Sequence, residues 1–246
     1  MDALGYRSKF AVLVPSTNTT VQAEFDEMRV RGVTNHLTRI SIPNIPLNND
    51  EDFNKLINLI ESAQEDAINR VMSCEPDYFV MGISAETFWD GLEASLRLKK
   101  QVMDLTGLGV AMGSEACQAA LEIHGAKKIA IITPYQPIGD RNVVRFFNEC
   151  GYEVPRIKGL RCESPVKIAH VQPETLIEEI KNIDGDDIDA IVQVGTNLSM
   201  ARVAGVAEEY LGKPVIAINS AIYWYALRQN KILDQFDGFG QLFSKH

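Results

Sequence analysis

The sequence predicts an α/β protein of two pseudo-symmetric lobes, each a four-stranded parallel sheet flanked by helices, with a cleft between them. Three observations lead there. Short β-rich apolar runs alternate with longer amphipathic stretches, which is the pattern of βαβ units and a parallel sheet. The alternation then repeats itself. Finally, 246 residues with 46% hydrophobic and 23% charged side chains suffice for a sizeable core without disulfide or metal staples.

In chain order, strands are read over 10–14, 37–42, 78–82, 109–112, 128–133, 154–160, 188–195 and 214–219. The first is the run Phe10-Ala11-Val12-Leu13-Val14, closed by Pro15, and the fifth is Ile129-Ala130-Ile131-Ile132-Thr133, closed by Pro134. Helices are read between them over 21–28, 52–73, 91–106, 114–125, 139–151, 173–182 and 199–211, where the apolar residues are spaced for one buried face. The first and fifth strands match as Val14-Pro15 and Thr133-Pro134. The third and seventh both begin at an aspartate and end in glycine, at Gly82 and Gly195. The fourth and eighth end in Gly113-Ser114 and Asn219-Ser220. Three matches in one order, at slowly shrinking separations, indicate two copies of one lobe. Residues 1–113 are expected to form lobe one, with 221–246 packing back on it, and residues 114–220 lobe two.

Charge and composition exclude several classes of function. A net charge of −9 argues against a nucleic-acid partner, which needs a basic face. No apolar run approaches the length of a membrane span, and residues 1–9 carry no apolar signal core. Cys74, Cys117, Cys150 and Cys162 are widely separated and are expected to be reduced thiols in a cytoplasmic protein. His36, His124, His170 and His246 are scattered too, so neither a metal site nor a cofactor is expected. The apolar last helix, with Tyr223-Trp224-Tyr225, is expected to pack on lobe one or on a second copy in a homo-oligomer.

In parallel sheets the ligand sits beyond the carboxyl ends of the strands. Four such ends stand out. Pro15-Ser16-Thr17-Asn18-Thr19-Thr20 suits helix capping and carboxylate binding, and Pro134-Tyr135-Gln136 places a phenol in the equivalent position. Gly82-Ile83-Ser84-Ala85-Glu86 and Gly195-Thr196-Asn197-Leu198-Ser199 each follow glycine with a hydroxyl residue, which lets backbone N–H groups approach an anion.

The VLVPSTNTT segment, the ITPY loop, the paired glycine–hydroxyl loops and the Asn-Ser–Trp helix near the end resemble the maleate isomerase and arylmalonate decarboxylase family of the aspartate/glutamate racemase superfamily. The resemblance spans about residues 9–228. It implies cofactor-free chemistry on small carboxylates through an enediolate-like intermediate, with one or two cysteines at the strand ends moving the proton. Here the two cysteine positions align with Gly82 and Gly195. Glycine at the first is the feature of the decarboxylase branch; glycine at the second removes the proton donor of both branches. Asn18, Ser84, Tyr135, Thr196 and Asn197 fall on family binding positions, and Ile83 replaces a hydroxyl residue.

Another group must then move the proton. Glu86 and Glu115 follow the third and fourth strands of lobe one, where burial is able to raise a carboxyl pKa into the working range. Both also suit a helix first turn. Cys117 and His170 are weaker alternatives, each read more simply as a buried helix residue and a surface residue. Phe88 and Trp89 are candidates for the pocket wall or the core. The favoured expectation is an enzyme on a small mono- or dicarboxylate, lyase-type rather than isomerase, with Tyr135, Glu86 and Glu115 as catalytic candidates. The alternatives are a hydrolase or hydratase using a Glu-activated water, and a non-catalytic carboxylate binder.

Overall fold

The computed structural model describes residues 2–246. The first sheet contains β1 (Ser8–Pro15), β2 (Val33–Ile40), β3 (Tyr78–Met81) and β4 (Val110–Ala111), in the order β2-β1-β3-β4. The second contains β5 (Lys128–Thr133), β6 (Glu153–Gly159), β7 (Ala190–Gln193) and β8 (Val215–Ala217), in the order β6-β5-β7-β8. All pairings are parallel and the order is the same in both sheets, so each lobe has a switch point beside its first strand.

Among the described residues the helices are α1 (Val21–Met28), α2 (Asp50–Met72), α3 (Ala85–Phe88), α4 (Gly91–Thr106), α5 (Gly113–His124), α6 (Pro137–Glu149), α7 (Pro173–Ile183), α8 (Ala201–Leu211), α9 (Ile218–Gln229) and α10 (Gln241–Ser244). The second strand begins at Val33, earlier than the sequence predicts, because its polar half Thr34-Asn35-His36 pairs at a sheet edge and carries no apolar signal. The eighth strand stops at Ala217, since Ile218 and Asn219 already belong to α9.

Strand alternation divides the core. Ile129 and Ile131 of β5 join a large cluster shared with lobe one, where Phe88, Phe146 and Phe147 pack together. Ala130 and Ile132 face the opposite way, onto Leu176 and Ile180 of α7. The two sheets therefore share one apolar interior and are held as a unit.

Helix α9 lies on α1, α5, β3 and β4. Tyr223 is fully buried there against Phe10 and Phe25, at ring separations of 5.9 and 4.9 Å. The apolar side of this helix is thus covered within the chain. Helix α5 leaves the first sheet and packs on α3 and α9.

Helix α2 crosses from one lobe to the other, which sets the shape of the cleft. Its body packs on β1 and β2, while its N-terminal end is tied to lobe two: Asp50 accepts from the Ile138 N–H at 2.9 Å and pairs with Arg141 at 2.6 Å. Phe53, Leu56 and Ile60 are buried along one side. Each contributes about 1.5–3 kcal/mol by leaving water.

Phe79 sits at the centre of the first sheet with no exposure. Phe79→Ala is expected to lower unfolding free energy by about 3–5 kcal/mol in a denaturant titration, through lost transfer energy and the cavity left behind.

Candidate active site

The strand-end loops of both lobes meet in the cleft. The Thr196 N–H donates to Ser84 Oγ at 3.1 Å, and Thr196 Oγ1 donates to the Gly82 carbonyl at 3.1 Å. Asn18 Nδ2 donates to Thr196 Oγ1 at 3.2 Å, and Ser84 Oγ lies 2.6 Å from Tyr135 Oη. The loops that the sequence pairs as equivalents therefore face each other, with Thr196 seated between Gly82 and Ser84. Two hydroxyls sharing one mutual hydrogen bond leave one O–H free. Ser84 and Tyr135 together thus keep a proton to donate to a ligand.

Each side chain is held from behind. Asn18 Oδ1 accepts from the N–H groups of Thr20 and Val21, both at 3.0 Å, so it closes the turn that leads into α1 while its Nδ2 reaches Thr196. The Tyr135 N–H donates to Thr133 Oγ1 at 3.1 Å, and its carbonyl accepts from Arg161. Arg161 pairs at 2.6 Å with the buried Asp140, which fixes the loop from beneath. Asn197 acts as a bracket between segments. Its Oδ1 accepts from the Thr19 N–H at 2.9 Å and its Nδ2 donates to the Pro165 carbonyl at 2.9 Å.

The loops enclose a narrow cavity of about 60 Å³. Its lining combines the polar Ser84, Thr196, Asn18, Asn197 and Tyr135 with the apolar Phe53, Leu56, Ile60, Ile83, Ile42 and Ile168. Of the apolar wall, Ile83 lies in a strand-end loop already singled out, whereas Phe53, Leu56 and Ile60 of α2 and Ile168 of the 3-10 turn Val166–His170 escape sequence reading because they lie outside those loops. His170 ends that turn and points to solvent; Ile168 and Pro165 face the cavity instead.

Glu86, named by the sequence reading, lines the cavity. It is 6% exposed in the first turn of α3 and keeps Oε1 enclosed without a hydrogen-bond partner. Burial pushes its carboxyl up to about 7, and the charge of Glu61 adds to the effect. Glu86 also borders a surface depression of about 380 Å³ lined by Glu61, Gln64, Trp89 and Arg97. It thus lines both the cavity and this depression.

Glu115 does not reach the cleft. It pairs with Lys99 at 2.6 and 2.7 Å on the outer side of α5, because the helical period turns Ser114 and Cys117 inward and Glu115 away. Cys117 is sealed in the core with its thiol pKa pushed up by burial, and it lines no part of the cavity. Phe88 packs on Phe146 in the core, and Trp89 stacks on Phe53 behind the wall at 5.8 Å.

The two glycines have physical reasons to be glycine. A Cβ on Gly82 would meet Val14 and Val21 side chains at 2.6 and 2.9 Å, so a side chain there points into the packed core of lobe one. Gly195 adopts φ +118°, a conformation L side chains rarely take, and a Cβ would meet Pro134 at 2.5 Å.

Comparison with known proteins places this architecture. The arylmalonate decarboxylase family model matches residues 43–243. The chain belongs to that family. It is 24% identical over 232 residues to a maleate isomerase of Alcaligenes faecalis, covering 90% of this chain and 89% of that one. A maleate isomerase of Pseudomonas putida is likewise 24% identical over 246 residues, covering 94% and 95%. Among solved structures, a Nocardia farcinica maleate cis-trans isomerase mutant with a covalently bound succinylcysteine intermediate superposes with TM-score 0.87 at 18% identity, over 97% of this chain and 98% of that one. A double mutant of arylmalonate decarboxylase in the liganded form gives TM-score 0.83 at 19% identity, over 97% and 99%.

Glu86 has a consequence for stability. A carboxyl held near 7 when folded and near 4.5 when unfolded keeps its proton longer in the native state, so stability falls as pH rises through that interval and levels off above it. Glu86→Gln, which carries no charge, is expected to flatten this slope and to be the more stable protein above pH 7, as read from chemical denaturation at several pH values.

Proposed function

We infer that the protein is a cofactor-free lyase that removes CO₂ from a small malonate-type substrate bearing a compact apolar group. The observation that carries this reading is the mixed lining of the cavity, in which the hydrogen-bonding groups of Ser84, Thr196, Asn18 and Tyr135 occur together with the apolar side chains of Phe53, Leu56, Ile60 and Ile83. The donors suit the carboxylate that stays on the substrate. The wall suits the apolar substituent and offers nothing to hold a second carboxylate in its ionised form.

In the reaction the bond from the central carbon to the departing carboxylate breaks, and CO₂ leaves. The electron pair passes into the retained carboxylate as an enediolate. The free hydroxyl proton of the Ser84–Tyr135 pair and the second Nδ2 hydrogen of Asn18, beyond the one given to Thr196, are the groups available to stabilise that charge. Glu86, carrying a proton near neutral pH, then protonates the central carbon and becomes a carboxylate. It regains a proton through the depression it borders on the outer face.

Isomerisation through a cysteine adduct, which the succinylcysteine of the Nocardia farcinica structure describes for that enzyme, has no matching thiol in this cleft. Gly82 and Gly195 stand at the strand ends, and Cys117 is inaccessible with a raised pKa. A reading that dispenses with thiol chemistry is therefore preferred, and cytoplasmic location agrees with four unpaired cysteines.

Phenylmalonate and maleate distinguish the readings. Release of CO₂ from phenylmalonate is expected, with no conversion of maleate to fumarate; the reverse outcome overturns the proposal. Glu86→Gln is expected to lower kcat by about 10²–10⁴-fold with little change in substrate affinity. Cys117→Ala is expected to keep near wild-type kcat, and its inactivation would return the proton to a thiol.

A further inference from the structure

Glu24 is buried on α1, the helix that follows the Asn18 loop, yet it lines no part of the cavity. The hydrogen-bond partners of its carboxylate all lie beyond residue 198. Oε2 accepts from Asn219 Nδ2 at 2.6 Å. Oε1 accepts from the Ala201 N–H at 3.0 Å and from the Ser199 hydroxyl at 3.4 Å. The same Asn219 Nδ2 donates to the Thr196 carbonyl at 2.9 Å.

The consequence is an anchor at both ends of one segment. Directly, the carboxylate holds the chain where it enters α8, with its charge at the positive end of that helix. Through Asn219, it holds the carbonyl of the residue whose N–H and Oγ1 meet Ser84 and Gly82. We propose that Glu24 is a positioning residue: it fixes the Thr196 loop of lobe two against the Ser84 loop of lobe one, so that ligand binding depends on a carboxylate outside the cleft. The binding part of this proposal rests on the reading of the cleft as a carboxylate site.

The chemistry of the donor set explains why an acid stands here. Every group facing Glu24 is a hydrogen-bond donor, and an ionised carboxylate accepts from all of them. These donors oppose the effect of burial, which pushes the carboxyl up to about 7. The neighbouring Arg202 is engaged elsewhere, with Glu27 at 2.7 Å. A glutamine has one acceptor oxygen for two sets of donors: kept on the Ala201 N–H, it sets its NH₂ against that of Asn219, and kept on Asn219, it sets its NH₂ against the Ala201 N–H. Turning the Asn219 amide relieves the first conflict but withdraws the donor from the Thr196 carbonyl, and the second frees the chain at the start of α8. Glu24→Gln therefore releases the loop without emptying any space.

Hydrogen exchange on the full-length protein tests this without a substrate. In Glu24→Gln and in Asn219→Ala, the amides of residues 194–200 are expected to exchange about 10- to 100-fold faster, the loss of a charge-assisted hydrogen bond, while β1 and β5 stay as in the wild type. Phenylmalonate is expected to bind about tenfold more weakly to each variant. The double variant should be no weaker than either single one, because both act on one carbonyl. Unchanged exchange in a folded Glu24→Gln protein overturns the proposal, as does exchange raised uniformly across the chain or a fully additive double variant. Should Glu24→Gln not fold, Asn219→Ala gives the same readout with the carboxylate still bound to Ala201 and Ser199. If phenylmalonate binds to no form of the protein, the reading of the cleft fails, and the exchange comparison alone decides the role of Glu24.

Discussion

The hydrogen bonds of Thr196 across the cleft are the constraint on which the site depends. Its N–H meets Ser84, its hydroxyl meets Gly82 and receives Asn18, and its carbonyl is held by Asn219. All of these groups are buried, where a lost partner costs about 1–3 kcal/mol. Neither lobe completes the site by itself: Ser84 and Asn18 come from the first, Thr196 and Tyr135 from beyond the first sheet. The shared apolar core around Phe88, Phe146 and Ile131 keeps the lobes close enough for these short bonds to form.

The same closeness accounts for the glycines. Where loops from two lobes approach within hydrogen-bond distance, a side chain at Gly82 or Gly195 competes with the packing that creates the contact. This cleft is therefore built for backbone and hydroxyl donors rather than for thiols. Its proposed proton carrier is a carboxyl on α3. Glu86 has what that role requires, namely burial that keeps a proton near neutral pH, an unpartnered oxygen, and a second face toward a solvent-filled depression.

Two buried glutamates with similarly raised pKa values illustrate how environment separates roles. Glu24 is surrounded by donors, so its lone pairs are used and it organises structure. Glu86 has an oxygen that nothing satisfies, facing a cavity. Burial alone does not distinguish them; the hydrogen-bond inventory does.

The sequence by itself determined the alternating architecture, the duplicated lobe and the strand-end loops, because periodicity and the glycine–hydroxyl punctuation are local properties of the chain. For that reason Asn18, Ser84, Tyr135, Thr196, Asn197 and Glu86 were legible as candidates, and all six line the cleft, since each lies within a few positions of a strand end. Tertiary structure alone decided the rest. Glu115 was removed from the site by helical phase and by Lys99, sixteen residues away in sequence. The wall of Phe53, Leu56 and Ile60 exists because α2 docks across both lobes through Asp50. Glu24 gained its meaning from Asn219, nearly two hundred residues distant. Such pairings depend on how helices rotate and cross, and a linear pattern of apolar and polar residues fixes which face is buried without fixing what that face will meet.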